Sequence, residues 1–432
     1  MFFKDSFHTL IIRILSFLFA LIVQILIARL LGPSAKGELQ IVMFLMVLVA
    51  LIVGMGFERA IIFYVGQKVY DIKKIWANAC LFLFVSAILA CLVLLPGLYF
   101  TRSLFGEIQF GLLMLIFVIV PVELLFAYQL GIFNGLGQMR KGNMFSLCQA
   151  AFFAILAALF IGWLVPSSRG VLYAYFLSYL FTAMLVLIYW KRAMRLTLSF
   201  DFDSKLIKNC LGYSTKGQLG NIANRIATRM DLVLLNYFLG KSLAGVYSVA
   251  INFADLLLFF PLIFSYVVFP HTSRRDQHEG WKLIRRVVRI SFLLSIVLSI
   301  GIAITAPFII PALFGDKFAG AVRPLWILLP GVILLSTFRV MASGISGLGY
   351  PFIFSACTIV MVVTTLILNL ILVPAYEEIG AAVASAVSYA LGFITLLCIV
   401  KIKFKHELKG FLIPCKEDFI MTRDNFMRLF NA

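Results

Sequence analysis

Charge is scarce in this 432-residue sequence: only 13% of the residues are Asp, Glu, Lys or Arg, and 19 acidic residues face 37 basic ones. Polar stretches able to fold by themselves are also missing; the longest are 191–212, 271–287 and the segment from Lys401. A large soluble catalytic domain is thereby excluded. The four histidines (His8, His271, His278, His406) show no metal spacing, and the seven cysteines contain no C-x-x-C and fall mostly in apolar runs. Buried thiols are expected, with neither a disulfide framework nor a metal site. No G-x-x-x-x-G-K-[ST] pattern occurs, so ATP is not the direct driver of any activity. No catalytic residue and no cofactor are assigned.

What is abundant is apolar: 62% of the residues are hydrophobic and the mean hydropathy is +1.04. Apolar runs between charged or Gly/Pro punctuation predict twelve membrane spans, near 8–31, 38–66, 75–100, 109–133, 144–165, 170–190, 213–238, 246–270, 288–312, 323–343, 351–373 and 380–400. The first run is too long for a signal peptide and no A-x-A site follows it, so it is expected to remain as a span.

The net charge of +18 raises the possibility of nucleic acid, but the basic residues form no single patch, and no nucleic-acid partner is expected. Topology accounts for them instead. Of the Lys and Arg in connections, twenty-four fall on one side and six (Lys36, Arg102, Arg169, Lys241, Lys317, Arg323) on the other, which predicts both termini in the cytoplasm. Trp76, Trp163, Trp190 and Trp326 fall at span ends, as interfacial tryptophans do, and Trp281 opens a basic stretch suited to the membrane surface.

The chain also repeats itself. Leu31-Gly32-Pro33-Ser34-Ala35-Lys36-Gly37 and Leu239-Gly240-Lys241-Ser242-Leu243-Ala244-Gly245 both read L-G-x-S-x-x-G, 208 residues apart. Leu104-Phe105-Gly106-Glu107 matches Leu313-Phe314-Gly315-Asp316 at an offset of 209, and Gly135-Leu136-Gly137 matches Gly347-Leu348-Gly349 at 212. Three matches in order at corresponding junctions predict an all-α membrane protein made of two parallel six-helix repeats, two lobes around a central cavity. The expected division is an N-lobe over 1–190, a cytoplasmic linker over 191–212, a C-lobe over 213–400 and a cytoplasmic tail over 401–432. The linker's Ser199–Lys208 stretch and the tail are amphipathic enough to lie on the membrane surface.

Ile27-Ala28-Arg29-Leu30-Leu31-Gly32-Pro33 leading to Gly37, then Gly54-Met55-Gly56-Phe57-Glu58-Arg59-Ala60, resembles the opening of bacterial polysaccharide flippases of the Wzx type. Arg229-Met230-Asp231-Leu232, Leu239-Gly240, Gly245-Val246-Tyr247-Ser248-Val249-Ala250 and Phe269-Pro270 are similar to the same group. It belongs to the multidrug, oligosaccharidyl-lipid and polysaccharide exporter superfamily. The resemblance implies an alternating-access flippase in the bacterial cytoplasmic (inner) membrane, moving undecaprenyl-diphosphate-linked oligosaccharide for O-antigen (lipopolysaccharide) or exopolysaccharide synthesis. Implied partners are that lipid-linked oligosaccharide, membrane lipids and a coupling H+ or Na+. The alternatives are a multidrug or organic-cation antiporter of the same superfamily and, from another class, a membrane polysaccharide polymerase, against which the internal repeat argues.

Seven basic residues (Arg13, Arg29, Arg59, Lys216, Arg225, Arg229, Arg339) fall inside the predicted spans, against four carboxylates, Glu58, Glu123, Asp231 and Asp255. Each Arg or Lys costs roughly 2.5 to 3.5 kcal/mol at a helix centre, so they should face a cavity or a counter-charge. Surplus guanidinium suits an anion such as a diphosphate. Arg229 and Asp255 are each thirteen residues from the turn at Ser242 and are expected to pair; Arg13 and Glu58 flank the turn at Ser34 and are expected to do likewise. Arg29, Arg339 and Lys216 are expected to snorkel. Arg225 lies about twelve residues into the seventh span, roughly 18 Å deep. Gln218, Asn221, Arg225 and Thr228 or Arg229 form a polar stripe on that helix, and Gln218, Asn221, Arg225, Arg229 and Arg59 are the candidate substrate-binding residues. Asp255 and Glu123 are the candidate ion-coupling carboxylates.

Overall fold

The computed structural model describes residues 2–100, 108–194, 202–215, 218–273, 277–405 and 411. Lys216, most of the tail and the connection that carries Leu104–Glu107 lie outside the described residues. Every described element is helical. In chain order these are α1 (Phe2–Leu26), α2 (Gly32–Gly54), α3 (Phe57–Gln67), α4 (Ile72–Phe100), α5 (Phe110–Gly135), α6 (Met139–Leu159), α7 (Ser168–Tyr189) and α8 (Ser204–Ser214). There follow α9 (Gln218–Ala227), α10 (Met230–Leu239), α11 (Lys241–Asp255), α12 (Phe259–Ser273), α13 (Gln277–Phe314), α14 (Val322–Gly347) and α15 (Phe352–Phe404).

Among the described residues nine helical runs are long and apolar enough to cross a membrane. Two of them hold two crossings each: Ile11–Gly54 turns at Gly32, and Phe352–Phe404 turns at Glu377, whose backbone is non-helical at φ 52°. The remaining crossing is α9 with α10, two ten-residue pieces that are each too short to count. The protein is therefore an all-α, twelve-crossing membrane protein.

The repeated turns have a backbone reason. Gly32 and Gly240 adopt φ of 79° and 86°, and Gly137 and Gly349 adopt 71° and 97°, a region that glycine enters without the Cβ penalty. The last glycines of the first motif serve close approach instead. A Cβ on Gly37 would collide with the backbone of Lys241, and one on Gly245 with the backbone of Pro33.

Two compact units emerge: Met1–Ile222 with Gly240–Gly245, and Ala223–Leu239 with Val246–Ala432. The boundary thus falls inside α9, beyond the expected linker. That linker is built into the first unit from Asp203 onward. The Asp203 carboxylate accepts from the amides of Lys205 (2.9 Å) and Leu206 (3.0 Å), capping α8, and pairs with Lys74 Nζ at 2.9 Å. Asn78 accepts from the Asp203 amide, and Asn209 donates to the Tyr70 hydroxyl at 3.0 Å. Leu206 and Cys210 are fully buried, and Tyr213 stacks on Phe63 with ring centres 4.4 Å apart. Burying one leucine stabilises the docking by about 2 kcal/mol.

Three expectations change. The second span is interrupted at Met55 and Gly56, both left-handed (φ 46° and 72°), and the seventh at Thr228 and Arg229. Trp76 and Trp190, expected at the membrane interface, are 2% and 1% exposed and meet edge to face at 5.0 Å, because the first unit packs their rings together with Phe133. Trp163 (84% exposed) and Trp326 (48%) do face outward. Lys36 is fully buried and donates to Gln24 Oε1 at 2.5 Å, so this connection lysine is not in contact with solvent.

Candidate functional site

The break between α9 and α10 organises the polar interior of the second unit. The Thr228 hydroxyl donates to the Asn224 carbonyl (2.8 Å), and the Arg229 amide reaches back only three residues to the Ile226 carbonyl (3.2 Å), closing α9 with a tight last turn. Two residues further on, Asp231 opens α10, and its Oδ1 accepts from the Leu232 amide at 2.8 Å. A carboxylate is favoured at that helix start.

Arg229 is held from both ends of its guanidinium. Nη1 donates to the Thr228 carbonyl at 2.8 Å and Nη2 is ion-paired with Asp255 Oδ2. Asp255 is itself the last residue of α11, followed by a tight turn over Leu256–Leu258 before α12. The pair therefore joins interruptions in two neighbouring spans.

Asp231 is 1% exposed, and its Oδ2 accepts from the Tyr247 hydroxyl and from the Ser385 hydroxyl, both at 2.9 Å. With the Leu232 amide that makes three donors, enough to hold a carboxylate inside an apolar interior. Arg339 and the 4% exposed Tyr389 stand within electrostatic reach of Arg229 and Asp255. Arg339 is half-buried beside these charges, attracted by Asp255 and repelled by Arg229.

The other expected residues are distributed differently. Arg225 is half-buried one turn before the break. Gln218 is 7% exposed, donates its amide to the Leu51 carbonyl at 2.6 Å and accepts from Asn221 at 3.2 Å, bracing the interruption between α2 and α3. The polar stripe thus divides: its first two members are bonded to each other and to α2, and its last two lie at the break. Glu58 and Arg59 are exposed in the first turn of α3, where the charged neighbour acting on Glu58 is Arg59; Arg13 is exposed on α1. Glu123, on α5 of the first unit, is hydrogen-bonded to Tyr175, whose hydroxyl donates to that of Tyr179 at 3.3 Å.

Sequence reasoning missed the partners of Asp231. Tyr247 lies 16 residues along the chain and Ser385 lies 154, so no local spacing announces them.

This architecture is that of an all-α, multi-pass membrane protein. Residues 26–323, more than half of the chain, match the model of the polysaccharide biosynthesis protein family, and the chain belongs to that family. It is 27% identical over 239 residues, 54% of its length, to the probable low-salt glycan biosynthesis flippase Agl15 of Haloferax volcanii. That match spans 51% of the relative, so the chain covers about half of the length of that protein. Among solved structures, the lipid II flippase MurJ in an inward closed conformation superposes with a TM-score of 0.75 at 16% identity, covering 99% of this chain and 91% of that one. An inward-facing multidrug resistance MATE family transporter of the MOP superfamily superposes with a TM-score of 0.74 at 19% identity, covering 91% and 96%. Both likenesses define the fold.

Proposed function

We propose that the protein is a non-enzymatic flippase that carries a polyprenyl-diphosphate-linked oligosaccharide from the cytoplasmic to the outer leaflet for surface polysaccharide synthesis. The observation that carries this reading is the placement of the half-buried Arg225 one turn before the interruption of the seventh span. A diphosphate cannot cross hydrocarbon without compensation, whereas a polyprenyl tail can stay in lipid. A guanidinium supplies delocalised charge and several donors for the phosphate oxygens. Arg59, exposed on α3 of the first unit, is proposed to meet the headgroup on entry, with Asn221 a weaker contact of that unit and Gln218 bonded to the α2 backbone at Leu51.

Family membership and the glycan flippase relative support this reading. A bacterial inner-membrane setting, an O-antigen substrate and cytoplasmic termini are the finer form of the same proposal. The last of these rests on the twenty-four to six division of basic residues. Coupling to H+ or Na+ is proposed to run through Glu123 or Asp255, each a carboxylate within a span and within reach of a tyrosine or an arginine. The antiporter reading draws on the MATE-like fold, but an organic cation is poorly served by a carboxylate that Arg229 neutralises.

Cells deprived of the protein test the proposal. Accumulation of lipid-linked oligosaccharide on the cytoplasmic leaflet, with loss of surface glycan, is expected. Unchanged glycan display together with sensitivity to cationic drugs would favour the antiporter.

A further inference from the structure

Each unit carries the same device at the end that the basic-residue count assigns to the cytoplasm. In the first unit Lys141, in the first turn of α6 just after the turn at Gly137, holds its Nζ over the Tyr189 ring, 5.4 Å from the centre. Tyr189 ends α7, and its ring packs on those of Phe145 at 5.8 Å and Phe133 at 6.0 Å. In the second unit the parts are exchanged. Tyr350, directly after the turn at Gly349, supplies the ring, and Lys403, in the last turn of α15, supplies the cation at 4.7 Å. Tyr350 meets Phe404 edge to face at 4.9 Å, and Phe404 meets Trp281 at 5.0 Å. Both units thus join the turn after their fourth span to the end of their sixth by a cation on a packed ring.

Basic residues on the cytoplasmic side of a membrane protein need no binding site to explain them. A lysine on a free stem stays in water, whereas an ammonium attracted to the face of a tyrosine that is itself packed is kept in one place. Lys141 and Lys403 remain exposed in that position, as do Lys191 and Arg192 just beyond Tyr189 and Lys401 just before Lys403. Exposed apolar side chains stand next to them in the chain: Met139 before Lys141, Ile402 before Lys403 and Phe352 after Tyr350. Fixed positive charge bordered by apolar surface suits an amphiphile with an anionic head better than it suits a water-soluble anion.

We propose that each unit binds the phosphate of an anionic membrane phospholipid at this place, at Lys141 on Tyr189 in the first unit and at Lys403 on Tyr350 in the second, with the acyl chains against the neighbouring apolar residues. The ligand is a lipid of the surrounding membrane and not the cargo, so the inference goes beyond the flippase reading and stands without it.

Native mass spectrometry of the full-length protein in detergent, titrated with dioleoyl phosphatidylglycerol or with dioleoyl phosphatidylcholine, counts the lipids held. Two molecules of phosphatidylglycerol should bind about tenfold more tightly than phosphatidylcholine, as a few basic residues near a headgroup provide. Lys141→Gln or Lys403→Gln should remove one of the two, and the double variant both. Tyr189→Leu and Tyr350→Leu keep every charge and should still weaken the corresponding site, because the cation is no longer held. Lys205→Gln with Lys208→Gln, an equal loss of charge on α8, should leave both lipids in place. Equal affinity for the two lipids, displacement of phosphatidylglycerol by millimolar inorganic phosphate, or an equal loss in the α8 control and in the Lys141→Gln, Lys403→Gln variant would each overturn the proposal. The lysine variants change only exposed side chains, so the lipid count decides the matter even where a tyrosine variant fails to fold.

Discussion

Arg229 and Asp255 are ion-paired across the hairpin formed by the seventh and eighth spans, and each sits where its own span is interrupted, Arg229 between α9 and α10 and Asp255 at the end of α11. The interruption at Arg229 is at neither a proline nor a glycine, whereas Pro261 follows the tight turn after Asp255. The pair is thus the polar clamp that lets two membrane helices open their backbone at the same depth.

Removing one partner leaves the other charge inside the unit. Arg229→Gln or Asp255→Asn alone should therefore destabilise the protein by about 1–3 kcal/mol, reduced from the fully buried case by the 35% exposure of Asp255. The double variant should be less destabilised than the sum of the two. Thermal unfolding in detergent followed by size-exclusion fluorescence checks this, and strict additivity would mean that the pair is not coupled.

Asp231 depends on its donors. Tyr247→Phe and Ser385→Ala each remove one of three hydrogen bonds to a carboxylate that is 1% exposed, and each should cost about 1–3 kcal/mol. The two together should cost more than either alone, measured in the same unfolding assay.

Gly37 and Gly245 admit no side chain. Gly37→Leu or Gly245→Leu should abolish stable insertion, read as loss of the monodisperse peak, because each Cβ would meet backbone and no flexible side chain can yield. Alanine at Gly240, where open space surrounds the site, should instead carry only the strain of its φ of 86°.

How much of this was legible in the sequence depended on the kind of signal. Apolar runs announce the crossings, and the L-G-x-S-x-x-G pair announces a repeated backbone device, because glycine has few other reasons to recur at matched turns. Equal spacing from the Ser242 turn brings Arg229 and Asp255 to one depth, since a helical hairpin is nearly symmetric about its turn. The break at Thr228 and Arg229 was not legible, for neither residue is a strong helix breaker, and the partner that meets Arg229 there, Asp255, comes from the next span. Burial of Trp76 against Trp190 depends on rings brought together by folding, and the Asp231–Ser385 bond spans 154 residues.

The α8 anchor should respond to pH. Hydrogen bonding to Lys74 and to the α8 amides holds the Asp203 carboxyl below its ordinary range. A depressed carboxylate contributes stability above its unfolded value and loses it as pH falls through the folded value. Hydrogen exchange of α8 should thus be slow at neutral pH and accelerate only below the ordinary carboxylate range, while Asp203→Ala should exchange fast at both.

The proposed transport turns on Arg225, the guanidinium proposed to draw the diphosphate of the carrier lipid across the membrane. The most direct measurement is surface glycan display in cells whose own copy is replaced by Arg225→Ala or Arg225→Lys, with protein levels checked by immunoblot. Loss of display is expected for Arg225→Ala at normal protein level and partial retention for Arg225→Lys, which keeps the charge but not the fork of donors. Full display with Arg225→Ala at normal level would contradict it.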